Sequence, residues 1–318
     1  MNFRKTISAT LAIAGLLSLS QTAHAGWTSS ASAAVLNPEV FSGGAATLDS
    51  NYVFDNSVAS VSGSRTFSGA NANGDAASMT FDYSARSQST ATAVKAYASA
   101  SLSNGFYNAA NPAYIQGFEG WGDPIIDPDG VPTMLWVAAS TFLGKQLSVS
   151  GSGSLSYITF DVHVDGTIIS GSSNNMVAGS SIRIGESPNG FVEGADFFDP
   201  QTNQTVSSGK INVSGGIADI WIEFSSGVIF DLEGDDQFSD PYLEATVDFF
   251  NTATIGTFYG YDANGNPVDL ISVGSDDGQN FNTLRITSNN VPEPESLALI
   301  GLALGLLGAS RKQSKVKG

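Results

Sequence analysis

Residues 157–165 read Tyr-Ile-Thr-Phe-Asp-Val-His-Val-Asp, and apolar and polar side chains alternate from the second residue onward. Successive side chains of a β-strand point to opposite faces, so this pattern predicts a strand with one buried and one solvated face. The apolar face carries Ile158, Phe160, Val162 and Val164, and the polar face carries Thr159, Asp161, His163 and Asp165. The Asp165-Gly166 pair predicts a turn directly after this strand.

Other segments between residues 26 and 290 repeat these features. Residues 216–224 and 246–250 are further strand candidates, and residues 258–273 and 197–206 predict hairpins because Asp, Asn, Gly and Pro separate two apolar runs. Residues 90–102 predict a long strand with small side chains on one face. That face carries Thr90, Thr92, Val94, Ala96, Ala98, Ala100 and Leu102. No amphipathic helix of useful length is evident between the two ends of the chain.

These patterns predict an all-β fold, an antiparallel and jelly-roll-like β-sandwich over residues 26–290. An N-terminal signal-peptide helix within residues 1–25 and a C-terminal sorting segment, residues 291–318, with a hydrophobic helix flank this body. Residues 108–129, with their Pro and Gly, are the best position for an internal boundary or a long loop.

Composition excludes several kinds of site. The 318 residues contain no Cys, which excludes disulfides, thiol nucleophiles and cysteine-ligated metals. The two His residues are His24, in the leader, and His163, so a site with several histidine ligands is also excluded.

The chain is strongly acidic. It has 13 Lys and Arg against 30 Asp and Glu, a net charge of −17. Residues 26–290 hold 7 cations and 28 acids, a net charge of −21, and most of the excess lies after residue 118. Such a body is repelled by nucleic acid and by anionic lipid, so we expect no nucleic-acid partner.

The N-terminus has the three parts of a secretory signal peptide. Arg4 and Lys5 precede an apolar run, and Ala23-His24-Ala25-Gly26 supplies the small side chains that signal peptidase requires. We therefore expect signal peptidase to cut before Gly26.

The C-terminus also has three parts. Val291, Pro292, Glu293 and Pro294 precede a 13-residue apolar run, Leu297-Ala309, and Arg311 and Lys312 follow it. The run is shorter than the roughly 20 residues of a comfortable membrane-spanning helix, although counting from Pro294 to Ser310 allows a thin span. The cations after it favour a cytoplasmic C-terminus.

This arrangement resembles the PEP-CTERM sorting signal of exported bacterial proteins. Pro292, Glu293 and Pro294 match the motif of that family, and Arg311 and Lys312 match its basic end. The resemblance implies recognition by an exosortase in a Gram-negative bacterium that makes exopolysaccharide. It also implies transient anchoring in the inner membrane, and then a place at the cell surface or in the extracellular matrix.

Little in the body points to catalysis. A Ser-His-Asp triad would need His163, which lies in the middle of a strand, and the chain has no Gly-x-Ser-x-Gly elbow. A hydrolase that uses two carboxylates stays open, because 28 acids make such a pair easy to find. We expect a protein that is not an enzyme and needs no cofactor.

Calcium is the alternative ligand. The acidic loop that suggests it contains Asp231, Glu233, Asp235 and Asp236, with Asp240 close behind. A second, spaced set of oxygen ligands comprises Asp262, Asn264, Asn266 and Asp269, but neither set matches an EF-hand. Acidic turns that keep an exported protein soluble explain the same residues.

Aromatic side chains offer a carbohydrate-binding surface as a further alternative. The candidates are Tyr114, Phe118, Trp121 and Trp136, although packing in or beside the core explains them equally well. Taken together, the sequence predicts an exported structural protein of the cell surface or matrix, associated with exopolysaccharide, biofilm or floc. A carbohydrate- or calcium-binding module at the cell surface is the alternative.

Overall fold

Two antiparallel β-sheets make up the part of the chain that the computed structural model describes. The described residues are 27–36, 46–70, 76–105, 134–171, 176–186, 191–231 and 241–283. Within them there are strands, turns and bends but no helix, so no helix long enough to cross a membrane occurs in these ranges. Both the predicted loop at 108–129 and the two chain ends lie outside them.

The strands are numbered in chain order. They are β1 Trp27–Leu36, β2 Ala46–Val53, β3 Ala59–Ala70, β4 Ala76–Ser89, β5 Ala93–Asn104, β6 Met134–Gly151, β7 Tyr157–Ser170, β8 Met176–Gly185, β9 Phe191–Phe197, β10 Gln201–Ser207, β11 Ile211–Asn212, β12 Ile217–Asp231, β13 Tyr242–Tyr261, β14 Pro267–Val268 and β15 Leu270–Ser275. Sheet A has the order β2-β1-β6-β12-β8-β9, with β15 also on β6. Sheet B has the order β10-β7-β13-β5-β4-β3, with β11 on β7 and β14 on β13.

Aromatic side chains join the inner faces of the two sheets. Phe81 of β4 meets Phe230 of β12 with ring centroids 6.0 Å apart, and Phe224 of β12 meets Phe249 of β13 at 5.7 Å. All four side chains are fully buried. The predicted all-β, antiparallel sandwich is therefore confirmed.

The alternation over residues 157–165 is confirmed as well. Ile158, Phe160, Val162 and Val164 of β7 are fully buried, whereas His163 and Asp165 are exposed. On β5 every second residue from Val94 to Leu102 faces the core, but Thr90 and Thr92 precede the strand.

The predicted turn at Asp165-Gly166 is wrong, because β7 continues through both residues to Ser170. A Cβ added to Gly166 would lie 2.5 Å from Cγ of Phe249 on the neighbouring strand β13. This glycine thus makes room for a core aromatic ring instead of reversing the chain.

The predicted hairpin over residues 197–206 is also wrong. Strand β9 pairs with β8 in sheet A and β10 pairs with β7 in sheet B, so this connection crosses between the sheets. The hairpin predicted for residues 258–273 forms only at its turn, where β14 pairs with the end of β13. The chain then crosses to sheet A, because β15 pairs with β6.

Lys145 is a buried cation on the inner face of β6. Its side chain is 1% exposed, and its Nζ lies 2.5 Å from Oδ2 of Asp277, in the turn after β15. Burial acts to raise the pKa of Asp277, but hydrogen bonds from Lys145 and Ser275 and the charge of Lys145 outweigh it. The pKa of Asp277 therefore lies below its ordinary value. The ion pair fixes the end of β15 against β6.

Gly166→Ala should destabilise the protein by about 1–3 kcal/mol, because the new methyl group displaces the ring of Phe249 in a packed core. Thermal melting measures the effect. Gly153→Ala is the control, since a Cβ there has 3.9 Å to its nearest neighbour. Equal melting temperatures for the Gly166 variant and the wild type would contradict this account of the glycine.

Asp277→Asn should destabilise the protein, because it removes the carboxylate that forms the ion pair with the buried Lys145 ammonium. Removing one partner of a buried pair costs about 3–5 kcal/mol, and we expect the lower end because the Asp277 side chain is 25% exposed. Its lowered pKa adds a pH dependence. The stabilisation is complete above the unfolded pKa, near 3.8, and is lost as the pH falls through the lower folded pKa. Unfolding curves from pH 7 to pH 2 should therefore converge for wild type and variant. Curves that stay parallel over this range would contradict the assignment.

Candidate functional site: a tyrosine-rich polar face

The outer face of sheet B carries a group of tyrosines where β7 and β13 lie side by side. Tyr157 and Tyr261 are partners in the register, and their rings stack with centroids 5.0 Å apart and planes 13° apart. Nζ of Lys210 lies 4.6 Å from the centroid of the Tyr157 ring. These rings are half-buried, which leaves part of each ring at the surface.

Asp161 links this group to the strand at the edge of the sheet. Its Oδ2 accepts a hydrogen bond from the hydroxyl of Tyr259 at 2.7 Å, and its Oδ1 accepts one from the Ser207 hydroxyl, also at 2.7 Å. The hydrogen bond to Asp161 raises the pKa of Tyr259, and burial and the charge of Asp161 act in the same direction. We call Tyr157, Asp161, Lys210, Tyr259 and Tyr261 the tyrosine face.

The same side of sheet B carries a second group of cations and aromatic rings. The guanidinium of Arg86 lies 4.6 Å from the ring centroid of Tyr97 and 4.4 Å from that of Phe250. Hydroxyl groups pair across neighbouring strands on this side, with Ser99 and Thr246 at 2.9 Å. Half-buried rings, hydroxyls and a few charges suit a ligand that is both apolar and rich in hydroxyl groups.

Asp161 is already bonded to Tyr259 and Ser207, which argues against a triad. His163 lies exposed, two positions along the same face, and its register partner is Thr205 of β10. The structure therefore gives Asp161 two partners other than the imidazole that a triad would require.

Sheet A buries polar groups on its outer face. Glu223 of β12 is 5% exposed, and its register partner is Arg183 of β8. Burial raises the pKa of Glu223, and the positive charge of Arg183 offsets only part of this effect. The hydroxyls of Ser140 and Ser225 lie 2.9 Å apart beside it. On the outer face of sheet A, buried polar side chains of neighbouring strands therefore lie opposite one another.

Of the four aromatic candidates from the sequence, the structure describes Trp136 alone. Trp136 is half-buried, and both it and Val177 pack against Ile229 on the outer face of sheet A. Trp221 packs over Gly144, where an added Cβ would lie 3.1 Å from the indole. Tyr114, Phe118 and Trp121 lie outside the described residues.

Some of the calcium candidates lie within the described residues and others lie outside them. Asp231 ends β12, whereas Glu233, Asp235 and Asp236 lie outside the described residues. Asp262 is used within its own turn, since Oδ1 accepts hydrogen bonds from Asn264 N and Asn266 N, both at 2.8 Å. A side-chain hydrogen bond from Asn266, together with backbone bonds, lowers the pKa of Asp262. Within the described ranges, no group of three His, Cys, Asp or Glu side chains is placed to hold a metal.

Sequence reasoning missed the tyrosine face. Tyr157, Tyr259 and Tyr261 occupy alternate positions in apolar runs, which places each on the polar side of its strand. Only the register of β7 against β13 shows that they meet.

The sorting residues all lie outside the described ranges, both at the C-terminus (Val291, Pro292, Glu293, Pro294, Arg311 and Lys312) and at the signal peptidase site (Ala23, Ala25 and Gly26). The described body ends at Thr283, which forms a bridge with Phe258, and Val291 follows eight positions later. The motif therefore begins eight residues after the last residue that the structure describes.

Comparison with known proteins confirms the C-terminal resemblance. Residues 290–312 match the family model described as the PEP-CTERM protein-sorting motif. No curated protein matches the chain. The chain thus carries a PEP-CTERM sorting motif, and this motif supports an exported protein that is sorted through its C-terminus.

Proposed function

We propose that this protein is a non-catalytic structural component of the cell surface or extracellular matrix of a Gram-negative bacterium, where it contributes to biofilm or floc formation. The main support for this proposal is the sorting motif at residues 290–312, because such a motif directs the body of the protein to the outside of the cell. The sandwich supports it, since two large sheets with aromatic contacts across the core make a durable body.

The charge of the chain also supports this role. A net charge of −21 over residues 26–290, the body between the leader and the sorting segment, keeps exported copies soluble and apart in dilute solution. Association in a matrix then depends on a third component. We propose exopolysaccharide as that component.

Deleting the gene should change cell aggregation and leave growth intact, because the protein acts outside the cell and is not required for metabolism. Settling assays and growth curves measure both effects. The wild-type gene should restore aggregation, whereas a variant with Ala at Pro292, Glu293 and Pro294 should not.

The processing of that variant provides an independent readout. Mass spectrometry should find the C-terminal segment removed from the wild type and retained in the triple variant. Glu295→Ala, which changes an acid just outside the triplet, is the control. Unchanged aggregation after deletion would contradict the matrix role, even if processing follows the motif.

The tyrosine face favours a second candidate function, a carbohydrate-binding module. Its stacked rings offer apolar area, and Asp161 and the tyrosine hydroxyls lie at their rim. Pyranose rings have the same two properties, a C–H face and a rim of hydroxyls. We propose that polysaccharide chains bind here.

Tyr261→Ala should weaken binding to exopolysaccharide from the host about tenfold, which corresponds to a loss of about 1.4 kcal/mol. Retention on immobilised polysaccharide and calorimetry with soluble fragments measure the change. Tyr242→Ala is the matched control, because Tyr242 lies at the other end of β13 and is 53% exposed. Equal binding by wild type and the Tyr261 variant, with both still folded, would contradict this site.

A further inference from the structure

Strand β3 forms one edge of sheet B, and among the described residues β4 is its only strand neighbour. With twelve residues it is longer than the other edge strands β2, β9 and β10. It has no proline, no register shift against β4 and a single charged side chain, Arg65. Proteins usually protect an edge with prolines, bulges or several charges, because a long regular edge is a template for another strand.

Alternate residues of β3 direct their backbone groups away from the sheet. In an antiparallel pair, the N–H and C=O of one residue point to the same side. The Ser60 carbonyl accepts a hydrogen bond at 3.1 Å from the side chain of Asn51, which belongs to β2 and not to sheet B. The carbonyl of Ser78, the register partner of Ser68, accepts one at 2.9 Å from the backbone N–H of Gly105, just after β5. Both bonds indicate the same alternation. The outward residues are Ser60, Ser62, Ser64, Thr66 and Ser68.

The part of the chain that contains β3 carries little net charge. Residues 26–118 hold five acids and three cations, whereas residues 119–290 hold 23 acids and four cations. The edges formed by later strands lie among acids, with Glu193 and Asp196 on β9 and Asp161 beside β10. Exposed charges more than about 8 Å apart are largely screened at physiological ionic strength. Two copies of this acidic body can therefore approach along β3 with little repulsion.

Exposed apolar side chains lie where the chain enters β3. Tyr52, near the end of β2, is 44% exposed, and Phe54 and Val58, in the connection to β3, are 67% and 41% exposed. Single exposed apolar side chains are ordinary on a protein surface, but a group of them indicates a surface that another protein covers. This group lies beside the unpaired edge.

We propose that β3 pairs with β3 of a second copy of the chain, antiparallel and about a two-fold axis, which joins two copies of sheet B into one. A two-fold axis brings the same surface of each copy into the contact, so this surface must complement itself. The outward residues meet that condition, because every one is Ser or Thr and hydroxyl groups on neighbouring strands stabilise a sheet. The proposal does not depend on polysaccharide binding.

The register of the pairing follows from the sequence of β3. Ser64 is the middle outward residue, so an axis there gives the longest ladder. Each Arg65 then lies opposite Gly63 of the other copy, and each Val61 lies opposite Phe67, so apolar side chains meet. An axis at Arg65 would instead place two guanidinium groups directly opposite each other, which is destabilising.

A contact of this size makes a weak dimer. In the register with Ser64 on the axis, Ser62 pairs with Thr66 of the other copy, and the three outward pairs exchange about six backbone hydrogen bonds. One strand pair and a few apolar side chains bury less than about 1,200 Å², the range of transient complexes. We expect a dissociation constant between about 10 µM and about 1 mM, which leaves copies apart in dilute solution.

The first test measures sedimentation of the mature protein, purified from the host, over this range of concentration. The dimer fraction should rise with concentration. Ser64→Pro removes an N–H that faces outward, which an edge strand tolerates, so the melting temperature should stay close to that of the wild type. The variant loses two hydrogen bonds at the axis and should bind itself at least about tenfold more weakly. A wild type that stays monomeric throughout would overturn the proposal.

A matched pair of charge variants covers the case in which proline disturbs the strand. Ser64→Glu places two carboxylates opposite each other at the axis and should also weaken the dimer. Ser84→Glu adds the same charge on β4, one strand further from the axis, and should have a much smaller effect. Equal dimerisation by these two variants would contradict an interface at β3.

The second test measures the register. The chain has no Cys, so a single cysteine can carry a spin label. Labels on Ser64→Cys should lie close together in the dimer, because the Cα atoms of a hydrogen-bonded pair are about 5.5 Å apart. Labels on Ser68→Cys should be about 27 Å apart, since Ser68 pairs with Ser60 of the other copy, eight residues from its own equivalent, at about 3.4 Å per residue. The opposite order of distances would overturn the assigned register and the proposal with it.

Hydrogen exchange distinguishes a second copy from another occupant of the same edge. The amides of Ser62, Ser64 and Thr66 should exchange quickly at low concentration and slowly at high concentration. Slow exchange at every concentration would show that a segment of the same chain covers this edge, and would overturn the proposal.

Discussion

Pairing along both edges of β6 is the constraint on which the rest of the fold depends. One edge is paired with β12 from Met134 to Ser148, and the other is divided between β1 and β15. The first, the middle and the last part of the described chain thus meet on one strand. Such long-range pairing costs loop-closure entropy before it gains any contact. The inner face of β6 must therefore contribute apolar burial, and Leu135, Leu143 and Leu147 are fully buried there.

The sequence was sufficient to predict individual strands, but it was insufficient to predict which strands pair with each other. Alternation over residues 157–165 predicted the buried face of β7 because a period of two depends on one strand alone. Gly166 was misread as a turn because its role depends on Phe249, more than 80 positions away in the sequence. The connection at Phe197-Gln201 was misread as a hairpin because turn residues show that the chain bends, and not which sheet it enters next.

The candidate sites differ in the same way: one that lies within a short stretch of sequence could be predicted, and those that combine residues from separate strands could not. The sorting motif is a linear signal, so the sequence alone indicates it, and the family match at residues 290–312 agrees. The tyrosine face and the Lys145–Asp277 pair join residues from separate strands. Lys145 lies in the apolar context Phe142-Leu143-Gly144-Lys145, and alternation gives no warning that a cation will face the core. The pairing of β15 with β6 is what shows that Asp277 lies beside Lys145.

The positions of the Lys and Arg side chains affect both the stability of the fold and the charge of the surface. The described residues contain six Lys and Arg side chains. Arg86, Lys95 and Lys210 lie over aromatic rings, and Lys145 lies in an ion pair. Arg183 faces the buried Glu223. Most of these cations therefore already contact a ring or an acid of the same chain. The electrostatic potential that a binding partner meets at the surface is then determined mainly by the acidic side chains. A neutral polysaccharide meets no repulsion from that field, whereas an anionic one needs counterions at the contact. On sheet B the cations that lie over aromatic rings reduce this repulsion locally.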